Sequence, residues 1–101
     1  MYYDAIIKLG RGREIKKLMG NRHLDSAYRI SDSTWHCEHK DKYIYFKTQG
    51  FTLYMGKGES EYEAAGNMLP IGTILTEQIS IMDILLALNW TSDTDQTWDK
   101  N

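Results

Sequence analysis

The sequence predicts an α+β fold: a small antiparallel β-sheet with a short N-terminal helix and a short C-terminal helix. Three patterns support this prediction. Apolar residues recur at helical spacing at the start of the chain, two aromatic-rich segments flank a Gln-Gly pair in the middle, and a capping-box pattern precedes an apolar run near the end. Because 101 residues suit a single core, we expect one domain over residues 1–90 and a flexible acidic tail over residues 91–101.

The N-terminal quarter contains two short patterns. Apolar and aromatic side chains recur at helical spacing over residues 2–11, which predicts a short amphipathic helix that Gly12 ends. Residues 13–19 follow as a predicted strand, because an apolar residue lies between charged neighbours. Residues 22–33 show no firm period, and residues 33–37 fit a short strand.

The middle of the chain predicts a β-hairpin. Lys42–Thr48 and Phe51–Gly56 are rich in aromatic residues. They flank Gln49-Gly50, whose glycine supplies the positive φ that a tight turn needs. Alternation along the two strands places Phe51, Leu53, Met55, Ile44 and Phe46 on the inner face.

Two segments follow the hairpin. Residues 57–66 are polar and acidic, and we predict a flexible loop there. Residues 69–75 predict another strand. Pro70 lacks a backbone N–H, so it confines the start of that strand to an edge of the sheet.

The C-terminal helix has the clearest boundaries. Ser80 and Asp83 have the Ser-x-x-acid spacing of a capping box, which predicts a helix over residues 81–88. The pair Asn89-Trp90 ends the helix and can open a final strand.

Composition excludes several classes of protein. A single cysteine rules out a disulfide framework and fits a reducing compartment. No apolar run approaches the roughly 20 residues of a membrane helix, and the N-terminus does not resemble a signal peptide. We therefore expect no membrane association and a cytoplasmic location. The net charge of −2 argues against direct nucleic-acid binding.

Charge is unevenly distributed along the chain. Between Lys8 and Arg29 there are seven basic and two acidic residues, whereas residues 30–101 hold five basic and eleven acidic residues. We expect an anionic ligand to meet the N-terminal quarter. The alternative is a solvated basic face that acids elsewhere balance.

The residue types that carry chemistry do not assemble into a catalytic pattern. His36 and Cys37 are adjacent in a predicted strand and face opposite sides, so we expect neither a metal site nor a thiol nucleophile. The alternating glutamates of residues 59–63 fit a solvated loop. We therefore expect no enzyme activity, no cofactor and no metal. Ring faces that could stack a base are offered by Trp35, Tyr43, Tyr45, Tyr54 and Trp90.

Two end segments carry a family resemblance. Near the start the chain reads Ala5-Ile6-x-x-Leu9-x-x-Gly12-x-x-Ile15-x-Lys17, and near the end Ser80-Ile81-x-Asp83-Ile84-Leu85-Leu86-Ala87-Leu88-Asn89-Trp90. These segments resemble a family of small phage proteins that includes the Thoeris anti-defence sponges and a related anti-CRISPR protein. The family usually carries Arg and then Trp where Lys17 and Gly20 stand, and a closing Asp-Trp where this chain has Asn89-Trp90.

The resemblance implies a function. The sponges are homotetramers that bind immune signals of the cyclic ADP-ribose type and withhold them from the host effector without cleaving them. It implies that this chain is a phage immune-evasion protein, a homo-oligomer that sequesters a nucleotide second messenger in the bacterial host cytoplasm. On this hypothesis Lys17, Asn21 and Arg22 lie near phosphates, and Asn89 and Trp90 lie near the base or ribose.

Two other readings stay open. One is an anti-CRISPR or other host-takeover inhibitor that acts by direct protein–protein contact, in which acidic segments mimic nucleic acid. The other is a small enzyme that acts on a nucleotide. Retention of a host protein would favour the first, and recovery of an altered ligand would favour the second.

Overall fold

Strands dominate the fold. A computed structural model of the chain describes residues 7–10, 12–18, 22–31, 33–76 and 78–92. The strands are β1 (Ile7–Leu9), β2 (Arg22–Leu24), β3 (Ser26–Ser31), β4 (Thr34–His39), β5 (Lys42–Gln49), β6 (Thr52–Gly58), β7 (Leu69–Ile74) and β8 (Trp90–Ser92). The helices are α1 (Arg13–Leu18), α2 (Glu61–Gly66) and α3 (Ile81–Leu88). Strands hold more than twice as many residues as helices do.

Six strands form one antiparallel sheet in the order β1-β7-β6-β5-β4-β3, and the sheet curls into a half-barrel. The predicted hairpin is confirmed as its centre. β5 and β6 pair from Gln49 and Thr52 outward, around Gly50 with its φ of 63°. Outside this sheet, β2 and β8 form a parallel pair.

The core lies on the concave face of the sheet. Ile44 and Phe46 of β5 and Leu53 and Met55 of β6 are buried there, as alternation predicts. Phe51 is instead 65% exposed, because it lies in the turn before β6 begins. The period-2 pattern therefore identifies the inner face only where both strands are paired.

Helix α3 lies across the mouth of the half-barrel. It contacts both edge strands, β1 and β3, and also β8. Its predicted capping box is confirmed: the Ser80 amide donates to the Asp83 carboxylate at 2.9 Å, and the Asp83 amide donates to the Ser80 hydroxyl at 3.2 Å. Asn89 ends the helix with a left-handed φ of 65°. The face turned to the core carries Ile81, Ile84, Leu85 and Leu88.

The predicted α+β class with an N-terminal helix over residues 2–11 is wrong. Ile7–Leu9 form β1, which pairs antiparallel with β7, and residues 2–6 lie outside the described part of the chain. Ile7 and Leu9 fit a period of two as well as a helical period, and pairing with β7 buries Ile7. A short isolated helix is marginal, so tertiary pairing decides the structure.

The strand predicted over residues 13–19 is also wrong. Arg13–Leu18 form α1, and Ile15 is its buried contact with the core. Glutamate and lysine, which make up half of this segment, favour helices more than strands. The strand prediction did not take this preference into account.

The predicted loop over residues 57–66 is a third error. β6 continues to Gly58, and α2 follows after Ser60, whose hydroxyl accepts a hydrogen bond from the Glu63 amide at 3.1 Å. Ser60 and Glu63 repeat the Ser-x-x-acid spacing that located α3. The sequence therefore contained the signal for α2, and the polar composition concealed it.

Strand β7 is confirmed, but its place in the sheet differs from the prediction. It lies between β1 and β6 and is not an edge strand. Pro70 is tolerated because it pairs with Tyr54 of β6 beside the register shift between Leu53 and Tyr54, and a proline that cannot donate to the ladder fits such an irregularity.

The expected final strand forms as β8, and it includes Thr91 and Ser92 of the predicted tail. Residues 93–101 lie outside the described residues. Among the helices of the described residues, none is long and apolar enough to cross a membrane.

Candidate functional site

A cavity of about 750 Å³ opens beside α1, β6 and β7, and we call it the lysine cavity. Its apolar wall comes from Ile15, Met55 and Ile71, which are buried residues of these three elements. Its volume falls in the range of ordinary small-molecule sites.

Both charged residues that line the lysine cavity are cationic. They are Lys17 of α1 and Lys57 of β6, and among the described residues no carboxylate lines this cavity. Both lysines are exposed to solvent and lie beside the apolar wall. This arrangement favours a small anion with an apolar part.

Polar groups also border the lysine cavity. Thr52, Thr73 and Asn67 contribute hydroxyls and an amide. The Asn67 side-chain amide donates to the Lys57 carbonyl at 3.5 Å, a long bond that links the end of α2 to β6. The backbone of Lys57 thus lies in β6 and is also hydrogen-bonded to Asn67 at the end of α2.

Lys57 also lines a second, smaller cavity of about 270 Å³. His39, Lys42 and Glu59 line it as well, and Lys42 donates a hydrogen bond to Glu59. This ion pair raises the pKa of Lys42 and lowers the pKa of Glu59. Both side chains are exposed, so the pair contributes little to stability.

The predicted ligand-binding residues fall into two groups. Lys17 lines the lysine cavity. Arg22 and Trp90 are register partners in the parallel pair of β2 and β8, and Asn89 directly precedes Trp90. Asn21 lies outside the described residues. The fold brings Arg22, Asn89 and Trp90 together, but none of them lines the lysine cavity.

Trp90 presents no open ring face to a ligand. Its side chain is 2% exposed, and its ring lies 5.9 Å from that of Phe46 at an angle of 58°. Trp35 is also buried, whereas Tyr43, Tyr45 and Tyr54 are half-buried on the convex face. No aromatic residue among those described lines the lysine cavity.

Lys57 is the residue that sequence reasoning missed. It was assigned to a flexible loop, although it continues the alternation of Leu53 and Met55 on the inner face. Its register partner is Ile44, a core residue. A predicted strand that ended at Gly58 rather than at Gly56 would have placed Lys57 on the inner face.

His36 and Cys37 face opposite sides of the sheet, as predicted. His36 is 1% exposed beneath α2, where it stacks on Tyr43 at 5.4 Å and lies 3.9 Å from Glu61. Desolvation lowers the pKa of His36, against the opposing effect of Glu61 and Glu38.

The thiol of Cys37 is buried in the core. Burial raises the pKa of this thiol, which disfavours the reactive thiolate. Within the described residues, no three His, Cys, Asp or Glu side chains are arranged to hold a metal ion.

A separate cavity of about 710 Å³ lies beside the start of α3, and we call it the polar cavity. Arg29 of β3, Thr48 of β5 and Asp83 of α3 line it. Trp35 and Ile74 form its apolar floor. The two cavities share no lining residue.

Comparison with known proteins identified no relative of this chain. No protein-family model, curated protein or solved structure matches the chain. The resemblance of the two end segments therefore rests on the residues that carry it, and function has to be argued from the geometry.

Proposed function

We propose that this protein binds and sequesters a small anionic nucleotide, without cleaving it, in the lysine cavity. The observation that carries the proposal is the pairing of two lysines, Lys17 and Lys57, with an apolar wall and no carboxylate among the described lining residues. The whole chain has a net charge of −2, so a set of described lining residues without acids departs from its average composition.

The chemistry of the cavity suits retention. Lysines would meet phosphate oxygens as charged donors, and the wall of Ile15, Met55 and Ile71 would contact the base. A sequestering protein needs affinity for the ground state of its ligand and needs no group that favours a transition state. Affinity in the micromolar range or tighter corresponds to about −8 kcal/mol or better.

The resemblance of the end segments narrows the proposal to a biological setting. It points to an immune second messenger of the cyclic ADP-ribose type, sequestered in the cytoplasm of a bacterium infected by a phage. Assembly into a homo-oligomer, a tetramer on that resemblance, would let neighbouring chains cover an open cavity. Native mass spectrometry would count the chains and retain a bound ligand.

Calorimetry tests the ligand. Cyclic ADP-ribose isomers and cyclic dinucleotides are titrated into the wild-type protein and into Lys17→Gln and Lys57→Gln. We expect each variant to bind about 5- to 10-fold more weakly, because each loses one charge-assisted contact. Lys47→Gln is the matched control, since Lys47 is exposed on β5 and lines neither cavity.

Two results would contradict the proposal. One is the absence of heat and of a thermal shift with all of these nucleotides. The other is an equal loss of affinity in Lys47→Gln, which would indicate non-specific attraction. Recovery of a cleaved nucleotide after denaturation would instead identify an enzyme.

The alternative of a protein–protein inhibitor has its own supporting observation. Tyr62 on α2 is 91% exposed, and the exposed side chains Glu61 and Glu63 flank it. Exposed tyrosines are frequent anchors at protein interfaces. Tyr62→Ala should abolish capture of a purified effector on this hypothesis, and it should leave nucleotide binding in the lysine cavity unchanged.

A further inference from the structure

We propose that the polar cavity is a second binding site, for a neutral polyhydroxylated ligand such as a sugar ring. It is distinct from the lysine cavity and does not depend on the function proposed for that cavity.

Charges at the polar cavity already have partners in the protein. The Nε of Arg29 donates to the Ser31 carbonyl at 3.1 Å. The Oδ2 of Asp83 accepts from the Ser80 amide at 2.9 Å, as half of the capping box. Among the described residues, one cation and one anion line the cavity, so their formal charges cancel. The lining therefore selects against a ligand that carries a net charge.

The remaining polar groups suit hydroxyls. Thr48 and Thr76 contribute hydroxyls, each a donor and an acceptor, and Gln78 contributes an amide with both functions. The Ser80 hydroxyl accepts from the Asp83 amide and keeps its O–H to donate. A ligand hydroxyl also donates and accepts, so it can satisfy any of these groups in either direction. A carboxylate offers acceptors only, and the quaternary ammonium of a betaine offers neither an N–H nor an O–H group.

The floor of the cavity is apolar and rigid. Trp35 is 1% exposed, and Ile74 is similarly buried. Trp35 and Arg29 are register partners on neighbouring strands, so both side chains lie on the concave face. Because so little of this floor is exposed, the hydroxyl-bearing border would supply most of the contacts of a sugar ring, which would meet it with its polar rim.

Nuclear magnetic resonance of the full chain tests the inference. Isotope-labelled protein is titrated with d-ribose and d-glucose, and in parallel with inorganic phosphate and glycine betaine. We expect saturable shifts of the backbone amides of Thr48, Gly50 and Gln78 with a sugar. We expect neither phosphate nor betaine to move these amides.

Two matched variants locate the site. Thr48→Val removes one hydroxyl at nearly constant volume, and Gln78→Ala removes an exposed amide; each should weaken sugar binding about 3- to 10-fold. Thr52→Val is the control, because Thr52 lies on the neighbouring strand, is also half-buried, and lines the other cavity. Lys57→Gln should likewise leave sugar binding unchanged.

Each result of these titrations either supports or overturns the proposed sugar site. Saturable shifts confined to the polar cavity, weakened by Thr48→Val and unaffected by Thr52→Val, support the site. The proposal is overturned if no sugar gives saturable shifts, or if betaine or phosphate moves the same amides as strongly. The comparison of ligands on the wild-type protein decides this even where a variant fails to fold.

Discussion

His36 shows how one residue can connect packing to pH. It is a histidine buried on the convex face, between the tyrosines of β5 and helix α2. Burial favours the neutral imidazole, and desolvation is the largest cause of its lowered pKa. The neighbouring carboxylates of Glu61 and Glu38 act in the opposite direction but do not reverse it.

A pH dependence of stability follows from His36. The unfolded chain takes up a proton near pH 6.5 while the folded chain does not, so stability falls as the pH is lowered through that value. The loss is at most about 1.4 kcal/mol per pH unit, which corresponds to one proton. Urea unfolding at pH 7.5 and at pH 5.5 measures it.

His36→Phe is the comparison variant, because it keeps a ring between Tyr43 and Tyr45. Its stability should vary less with pH over the same interval, whatever its absolute value. An identical pH slope in the two proteins would assign the effect to other titrating groups.

Helix α2 shows how an element depends on the surface that receives it. It packs on β5 and β6 where β6 carries two glycines. A Cβ at Gly56 would lie 2.0 Å from the backbone carbonyl oxygen of Ala64, so the helix and the strand approach closely.

Gly56→Ala should therefore displace α2 from the sheet. The contact involves backbone rather than a flexible side chain, and we expect a loss of about 1–3 kcal/mol in the free energy of unfolding. Gly66→Ala is the matched control: a Cβ there meets nothing within 4 Å, and alanine at the end of a helix is neutral or stabilising by up to about 1 kcal/mol. A free energy of unfolding in Gly56→Ala as high as that of the wild-type protein would show that α2 tolerates displacement.

The elements differ in how far the sequence predicts them. The central hairpin and α3 were predictable, because aromatic alternation and a capping box are local signals. β1 and α1 were exchanged with each other, since Ile7 and Leu9 fit both periods and only the partner strand decides between them. In α2, the capping signal at Ser60 was present but was outweighed by polar composition.

At the scale of the whole molecule, the candidate site could be predicted only in part. Lys17 was expected at an anion site because the N-terminal quarter is basic, and it does line the lysine cavity. Lys57 lines the same cavity only because the fold brings β6 beside α1. No local sequence pattern links two lysines that are so far apart in the chain. Trp90 was expected at the ligand and lies in the core instead, since the sequence does not say which aromatic ring a helix will cover.

The molecule as a whole depends on α3, because this helix contacts both edges of the curled sheet. Leu85 is 1% exposed in that contact, and we expect Leu85→Ala to lower the free energy of unfolding by about 2–5 kcal/mol. The control is Leu86→Ala, a neighbouring leucine that is 38% exposed and should cost less than about 1 kcal/mol.

Native-state hydrogen exchange then distinguishes local from global effects. If α3 holds the half-barrel together, protection in β5 and β6 should fall by the same free energy as urea unfolding reports. Unchanged protection of β5 and β6 in Leu85→Ala would show that the sheet is stable without its helix.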